Sequence, residues 1–519
     1  MTRPCCLLLR WLYSHVLGWA LVGAAAAQGT NPTQIPYTVY VKSQRVLLDV
    51  VVKDKKGTVV NNLDANDFTV YEDGVFVKVT SFESPEEHTF HHNSGLLDNA
   101  GDLAKIDSAP VTILVLDELN TSFEDMAFAR QKVEKYLDSQ PSVLPQPTTL
   151  LVASNTALQT LHNYTQSREE LRATLKKHLP ELPYKMMHGG TNSASAYLRM
   201  AESLQSLHQI SVASRGVAGR KSVIWVGKGF PTVNLLLLDS RSSALMQEAV
   251  QHLTGELLEA RVAIYTIDPA SNVVGSGLVA SPEELNDFEG QSDGQPFADG
   301  IKFSTLAPAT GGQAFFARND LDNELRNAAE QGGNYYTLSY IPNDTTRPSG
   351  SYHHIRVTVK NPDLVAVTRD GYYTMDKGVG STFDGLVKNI KDIRGELEAE
   401  LGSAALSSLA YNGVDASIEK GGDNALTLFV RSGSLNWTHS DDERYRAEIT
   451  VLAVAFSSKG KILSHTSKEM QTQTKGHIGN PDQKAQFAIH LPLPMGTARV
   501  RIIVRDALSG KIGSAEINL

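Results

Sequence analysis

Seven residues, Val111-Thr-Ile-Leu-Val-Leu-Asp117, constrain this chain more than any others. An apolar run of this kind, ending on a carboxylate, reads as a strand buried on both faces, and such strands belong to parallel sheets covered by helices on either side. It passes through Glu118-Leu-Asn-Thr121 into a helical pattern. There Phe123, Met126, Ala129, Val133, Tyr136 and Leu137 recur at helical spacing up to about Asp138. The carboxylate therefore falls at the strand end where open α/β sheets bind ligands.

The alternation continues downstream. Residues 149–154 and 158–165 lie close enough to form a hairpin, and Ser167-Arg-Glu-Glu170 is a capping box that opens the next helix. His188-Gly-Gly-Thr191 precedes a helix to about Ala213, then come a strand at 221–226, a helix at 242–260 and a strand at 261–267. Segments 301–307, 313–316 and 321–329 add helix, strand and helix. The sequence thus predicts a multidomain α/β plus β chain whose centre is a doubly wound, mostly parallel sheet. Ahead of it, residues 45–53, 68–71 and 75–82 read as strands, with Asp73-Gly74 marking a tight hairpin. Behind it, strands at 334–341, 352–360 and 364–369 and a helix at 383–401 lead to a β-rich end at 446–505 that reads as a sandwich. The expected boundaries are a signal peptide at 1–27, an N-terminal β domain at 28–85 and a linker at 86–109. The α/β domain follows at 110–332, a β extension at 333–374, a helical linker at 375–410 and an immunoglobulin-like β-sandwich at 411–519. The Gly-, Ser- and Asp-rich stretch 268–300 reads as an adaptable lid at the carboxyl end of a strand.

Arg3 and Arg10, an apolar run from Trp11 to Leu21, and the small residues Gly23 to Ala27 have the order of a secretory signal cut near Ala27. A retained anchor is the alternative, but the run is short and broken by Ser14 and His15. The expectation is an exported protein, whether periplasmic, on the cell surface or extracellular, with no stable membrane insertion after cleavage. Both cysteines, Cys5 and Cys6, lie in this segment, so disulfides, thiol catalysis and zinc–thiolate sites are excluded from the mature chain. Without Arg3 and Arg10 there remain 46 basic against 57 acidic side chains, a formal charge of −11. This acidity disfavours nucleic acid as a partner.

Five phrases follow one another along the chain: Phe68-Thr-Val-Tyr-Glu-Asp-Gly74, Leu116-Asp-Glu-Leu-Asn-Thr121, Gly219-Arg-Lys-Ser-Val-Ile-Trp-Val226, Thr310-Gly-Gly312 and Tyr335-Tyr-Thr-Leu-Ser-Tyr-Ile-Pro342. In these the region 46–373 resembles the VWFA-related domain proteins of the Acidobacteria type, and its centre resembles the Rossmann-like von Willebrand factor type A domain. The resemblance implies a metal-ion-dependent adhesion site built from Asp-x-Ser-x-Ser, a loop Thr and a later Asp. Asp117, Thr121 and Thr191 match three of those positions, Leu119 stands where the first Ser is expected, and Lys228 stands where the later Asp is expected. Leu119 offers no ligand atom and Lys228 brings a cation to a cation site, so the site is degenerate. No cofactor is then required, and any weak Mg2+ or Ca2+ binding would fall to Asp117, Thr121 and Thr191.

One expectation places the Lys228 ammonium beside Asp117 in place of the ion. The same residues also have ordinary uses. Thr121-Ser-Phe-Glu124 is itself a capping box, Lys228 can be a solvated lysine, and Glu118, Glu124 and Asp125 suit a solvated helix start. His88, His91 and His92 read as a surface cluster in the linker, adjacent His353 and His354 face opposite sides of a strand, and Tyr335, Tyr336 and Tyr340 read as sheet packing. The functional expectation is an exported, non-enzymatic, adhesion-type binding protein that engages a protein or envelope partner through Asp117, Thr121, Thr191 and Lys228. The alternative is a structural component of envelope assembly. A hydrolase comes third, because no nucleophile beside a base is legible.

Overall fold

The computed structural model describes residues 45–88, 109–154, 158–180, 193–215, 217–230, 240–269, 296–297, 300–316, 320–343, 348, 350–374, 399–421, 425–440, 444–475 and 482–519. The segment 1–27, Thr191, most of 268–300 and most of the expected helix at 383–401 lie outside the described residues. Strands β1 (Val46–Asp54), β2 (Phe68–Glu72), β3 (Val75–Val77) and β4 (Val79–Glu83) come first. Asp73 and Gly74, at φ 51° and 79°, join β2 to β3, since a two-residue hairpin turn of this type needs positive φ at both positions.

Strand β5 (Val111–Asp117) is buried along its whole length. After it come α1 (Phe123–Asp138), β6 (Val143–Ala153), β7 (Leu158–Ser167), α2 (Arg168–Lys177), α3 (Ser193–Ser214) and β8 (Lys221–Val226). Then follow α4 (Ser240–Glu259), β9 (Val262–Ile267), β10 (Ala314–Phe315) and α5 (Leu321–Gly333). Their six strands form one mixed sheet in the order β10-β9-β8-β5-β6-β7, parallel except for the β6–β7 hairpin. Alternation along β5 divides two cores. Ile113 and Val115 share one core with Leu204 of α3 and Leu253 of α4, while Leu114 and Leu116 share the other with Met126 and Ala129 of α1 and Leu325 of α5.

Four strands follow: β11 (Tyr336–Tyr340), β12 (Tyr352–Val359), β13 (Leu364–Val367) and β14 (Gly371–Tyr373). They close sheets with the first four. One sheet runs β13-β1-β11-β4 and another β14-β12-β2-β3, antiparallel throughout, around a core of Leu48, Val50, Val70, Tyr336, Leu338 and Val357.

Helix α6 (Ala399–Leu406) leads to β15 (Ala416–Lys420), β16 (Leu426–Arg431), β17 (Thr438–Ser440) and β18 (Arg444–Ser457), then β19 (Ile462–Lys475), β20 (Lys484–Ile489), β21 (Thr497–Asp506) and β22 (Ile512–Asn518). Sheets β15-β16-β20 and β17-β18-β21-β22, the latter extended by β19 on β18, share a core that includes Leu428, Val451 and Ile502. Leu452, Val454 and Ile503 on the other face of the larger sheet join the core that contains Trp225.

This arrangement corrects the expected fold class. Among the described residues four of the five sheets are antiparallel and the six-stranded one is mixed, so the chain is built mostly of antiparallel sheets, and the expected doubly wound fold of type A, Rossmann-like kind is not shown. The physical reason lies in pairing. Periodicity identifies a strand from its own residues, whereas the partner of β1 lies nearly three hundred positions away.

Candidate functional site

The turn after β5 is folded around Asp117. Its carboxylate is fully buried. Asn120 donates its backbone N–H to Oδ1 at 3.0 Å and its side-chain amide to Oδ1 at 3.3 Å and Oδ2 at 3.4 Å, and the Gly229 N–H donates to Oδ2 at 2.9 Å. Burial holds the carboxyl above its ordinary pKa, and the Trp225 indole N–H, then the Asn120 and Gly229 donors, oppose that rise by favouring the anion. Ser203 of α3 accepts the Asn120 amide at 3.0 Å, so the turn is tied to the helix beyond it.

Thr121 is buried too, and its hydroxyl oxygen accepts the Lys228 backbone N–H at 3.1 Å. It does not cap α1. That role belongs to Ser122, whose hydroxyl accepts the Asp125 N–H and donates to Asp125 Oδ2 at 2.7 Å, one residue later than the sequence indicated. Gly227 lets the two loops meet: a Cβ there would lie 2.4 Å from Asp117 Cβ and 2.5 Å from Thr121 Oγ1, and its φ is 149°.

The Lys228 ammonium does not stand beside Asp117. It lies 3.3 Å from Asp125 Oδ2, on a side chain that is 44% exposed. Asp117 and Thr121 are therefore brought together with the Lys228 backbone, while the Lys228 charge points outward to the first turn of α1. Leu119 is buried. Thr191 lies outside the described residues.

Sequence reasoning took Glu118 for a solvated rim residue. In the structure it is buried, 2.8 Å from His178 Nε2 and 3.9 Å from Arg130. No local pattern shows this, because His178 follows α2, sixty positions on. His88 is likewise buried rather than on the surface, stacked on Tyr335 with ring centroids 4.4 Å apart and 3.2 Å from Thr337 Oγ1, whereas His91 and His92 lie outside the described residues. His353 is buried and His354 exposed, on opposite faces of β12. Sequence reasoning also missed that His353 meets Glu72 and Asp73, 280 positions earlier.

No family model matches the chain and no curated protein matches it. Among solved structures it is similar to proximal thread matrix protein 1 from the mussel byssus, at 15% identity over 44% of this chain and 49% of that one, with a TM-score of 0.26. A second similarity is to the N-terminal domain of TFIIH p34, at 9% identity over 42% of this chain and 95% of that one, with a TM-score of 0.20. The chain spans about half the length of the byssus protein.

Proposed function

We propose that this chain is an exported, non-enzymatic binding protein that engages a protein or envelope partner through the carboxyl edge of its mixed sheet. The observation that carries the reading is the division of labour at that edge. The amides of Asn120 and Gly229 serve the Asp117 carboxylate and the Lys228 N–H serves Thr121 inside, and the exposed groups at that edge are Lys228, Asp125 and the 47% exposed Phe123. A rigid base beneath one aromatic side chain and a partly exposed ion pair is the composition expected of a binding anchor. Export rests on the order of residues in 1–27.

The edge as described needs no metal, because the donors on Asp117 are protein groups. Millimolar Mg2+ or Ca2+ is expected to leave the melting temperature of the wild type unchanged. The binding reading is tested by a photoreactive residue at position 123 in the producing cells. One specific adduct should form, and it should disappear in Lys228→Glu with the melting temperature unaltered. An adduct that survives the charge reversal would favour the structural, envelope-assembly reading, and turnover in a hydrolase screen would remove the non-enzymatic one.

A further inference from the structure

At the far end of β2 two carboxylates and an imidazole converge. His353 Nδ1 lies 3.1 Å from Glu72 Oε1 and 2.9 Å from Asp73 Oδ2, and the three potential ligand atoms lie within 4.8 Å of one another. Glu72 and Asp73 are neighbours in sequence and would face opposite sides of an extended strand. The positive φ of Asp73 turns its side chain back, and its Oδ1 accepts the His354 N–H at 2.9 Å, which leaves Oδ2 aimed at His353. The ring of His353 stacks on Tyr372 with centroids 4.9 Å apart, and the Tyr372 hydroxyl donates to Glu72 Oε1 at 3.0 Å. Both partners of that ring are therefore fixed before anything binds.

The side chains of Glu72 and His353 are 5% and 1% exposed. Glu72 Oε2 makes no hydrogen bond of ordinary geometry, and the Tyr340 hydroxyl is the polar group set against that carboxylate. Burial, with Glu72 next in effect, raises the pKa of that phenol. A buried carboxylate oxygen without a well-aligned donor calls for a counter-charge. One imidazole supplies at most a single positive charge against two carboxylates, whereas a divalent ion supplies two. Ligand atoms about 2.1 Å from a common ion, at angles between octahedral and tetrahedral, lie about 3.0–3.4 Å apart. The two separations from Nδ1 are close to that span.

We propose that Glu72, Asp73 and His353 bind a divalent transition cation, with zinc as the best match to one imidazole and two carboxylates. Asp73, at 22% exposure the most accessible of the three, lies on the entry side, where water completes the coordination. The ion would fasten the β2–β3 hairpin to β12 and β14.

The test is a zinc titration of the full mature chain, followed by calorimetry and melting, with metal content measured after dialysis. One zinc per chain and a raised melting temperature are expected. Asp73→Asn, in which Asn suits the same backbone and keeps an acceptor for the His354 N–H, should fold and bind at least tenfold more weakly; His353→Gln should abolish the site. No zinc-dependent shift in the wild type would overturn the proposal, and so would zinc stoichiometry and affinity unchanged by Asp73→Asn. The latter result would place the metal on other histidines and leave the three residues as a hydrogen-bonded triad.

Discussion

Gly227 holds two loops at the distance of a hydrogen bond. Any side chain there collides with Asp117 and Thr121 and must also adopt a φ that L-residues avoid, so the loops have to part. Gly227→Ala is expected to destabilise the protein by about 2–4 kcal/mol, read as a fall in the urea midpoint at unchanged slope. Lys221 gives a residue-scale test of a different kind. Its ammonium is buried at the start of β8 and donates to the Val217 carbonyl, and burial lowers its pKa from 10.5 to about 7. Between those values the unfolded chain holds a proton that the folded chain lacks, so stability from this group rises as pH rises. From about pH 7 to about pH 9.5 the gain is roughly 3 kcal/mol. Lys221→Met should flatten that rise, and denaturation at the two pH values would show it; an equal slope in the variant would mean that Lys221 is not the titrating group.

At the scale of elements, Asp49 joins sheets that the chain builds far apart. Sitting on β1, it meets Arg261 Nη2 ahead of β9 at 2.5 Å and Thr337 Oγ1 of β11 at 3.2 Å. Burial works against its charge, but Arg261, Arg220 and Arg369 outweigh burial and hold the carboxyl below the usual range. Its contribution is present above the unfolded value of 3.8 and is lost as pH falls through the lower folded one. Asp49→Asn leaves three guanidinium groups without their shared anion and should cost about 3–5 kcal/mol at neutral pH by thermal or urea unfolding. A change below 1 kcal/mol would mean that water already screens the cluster. Elements were also where sequence read best. The Asp73-Gly74 hairpin, the Ser167 cap and the apolar stripe of α1 lie where local chemistry put them, because each depends on residues within a few positions. The exception is Phe123, which heads the stripe and lies 47% exposed.

For the molecule as a whole, legibility falls with separation along the chain. Asp117, Thr121 and the Lys228 backbone could be brought together on paper because strand order alone places two loops at one sheet edge. The partner of the Lys228 side chain could not, since choosing Asp125 over Asp117 depends on which carboxylate has already been saturated by amides. Nor could the contact between Glu72 and His353 be foreseen, because it depends on the register of β2 against β12, in which Glu72 faces Ile355. The expected fold class failed for the same reason: the alternation of the middle segment says nothing of the antiparallel sheets that β1 to β4 build with β11 to β14. The register of β1, between Ser339 and Leu338 on one side and Ala366 and Val365 on the other, has a temporal meaning. As the chain emerges from the ribosome, its first strand waits for both neighbours until some three hundred further residues have been made. Closing so long a loop is slow. Strand β1 is therefore made long before its sheet can close, and during that interval it is open to a chaperone, a protease or an export machine.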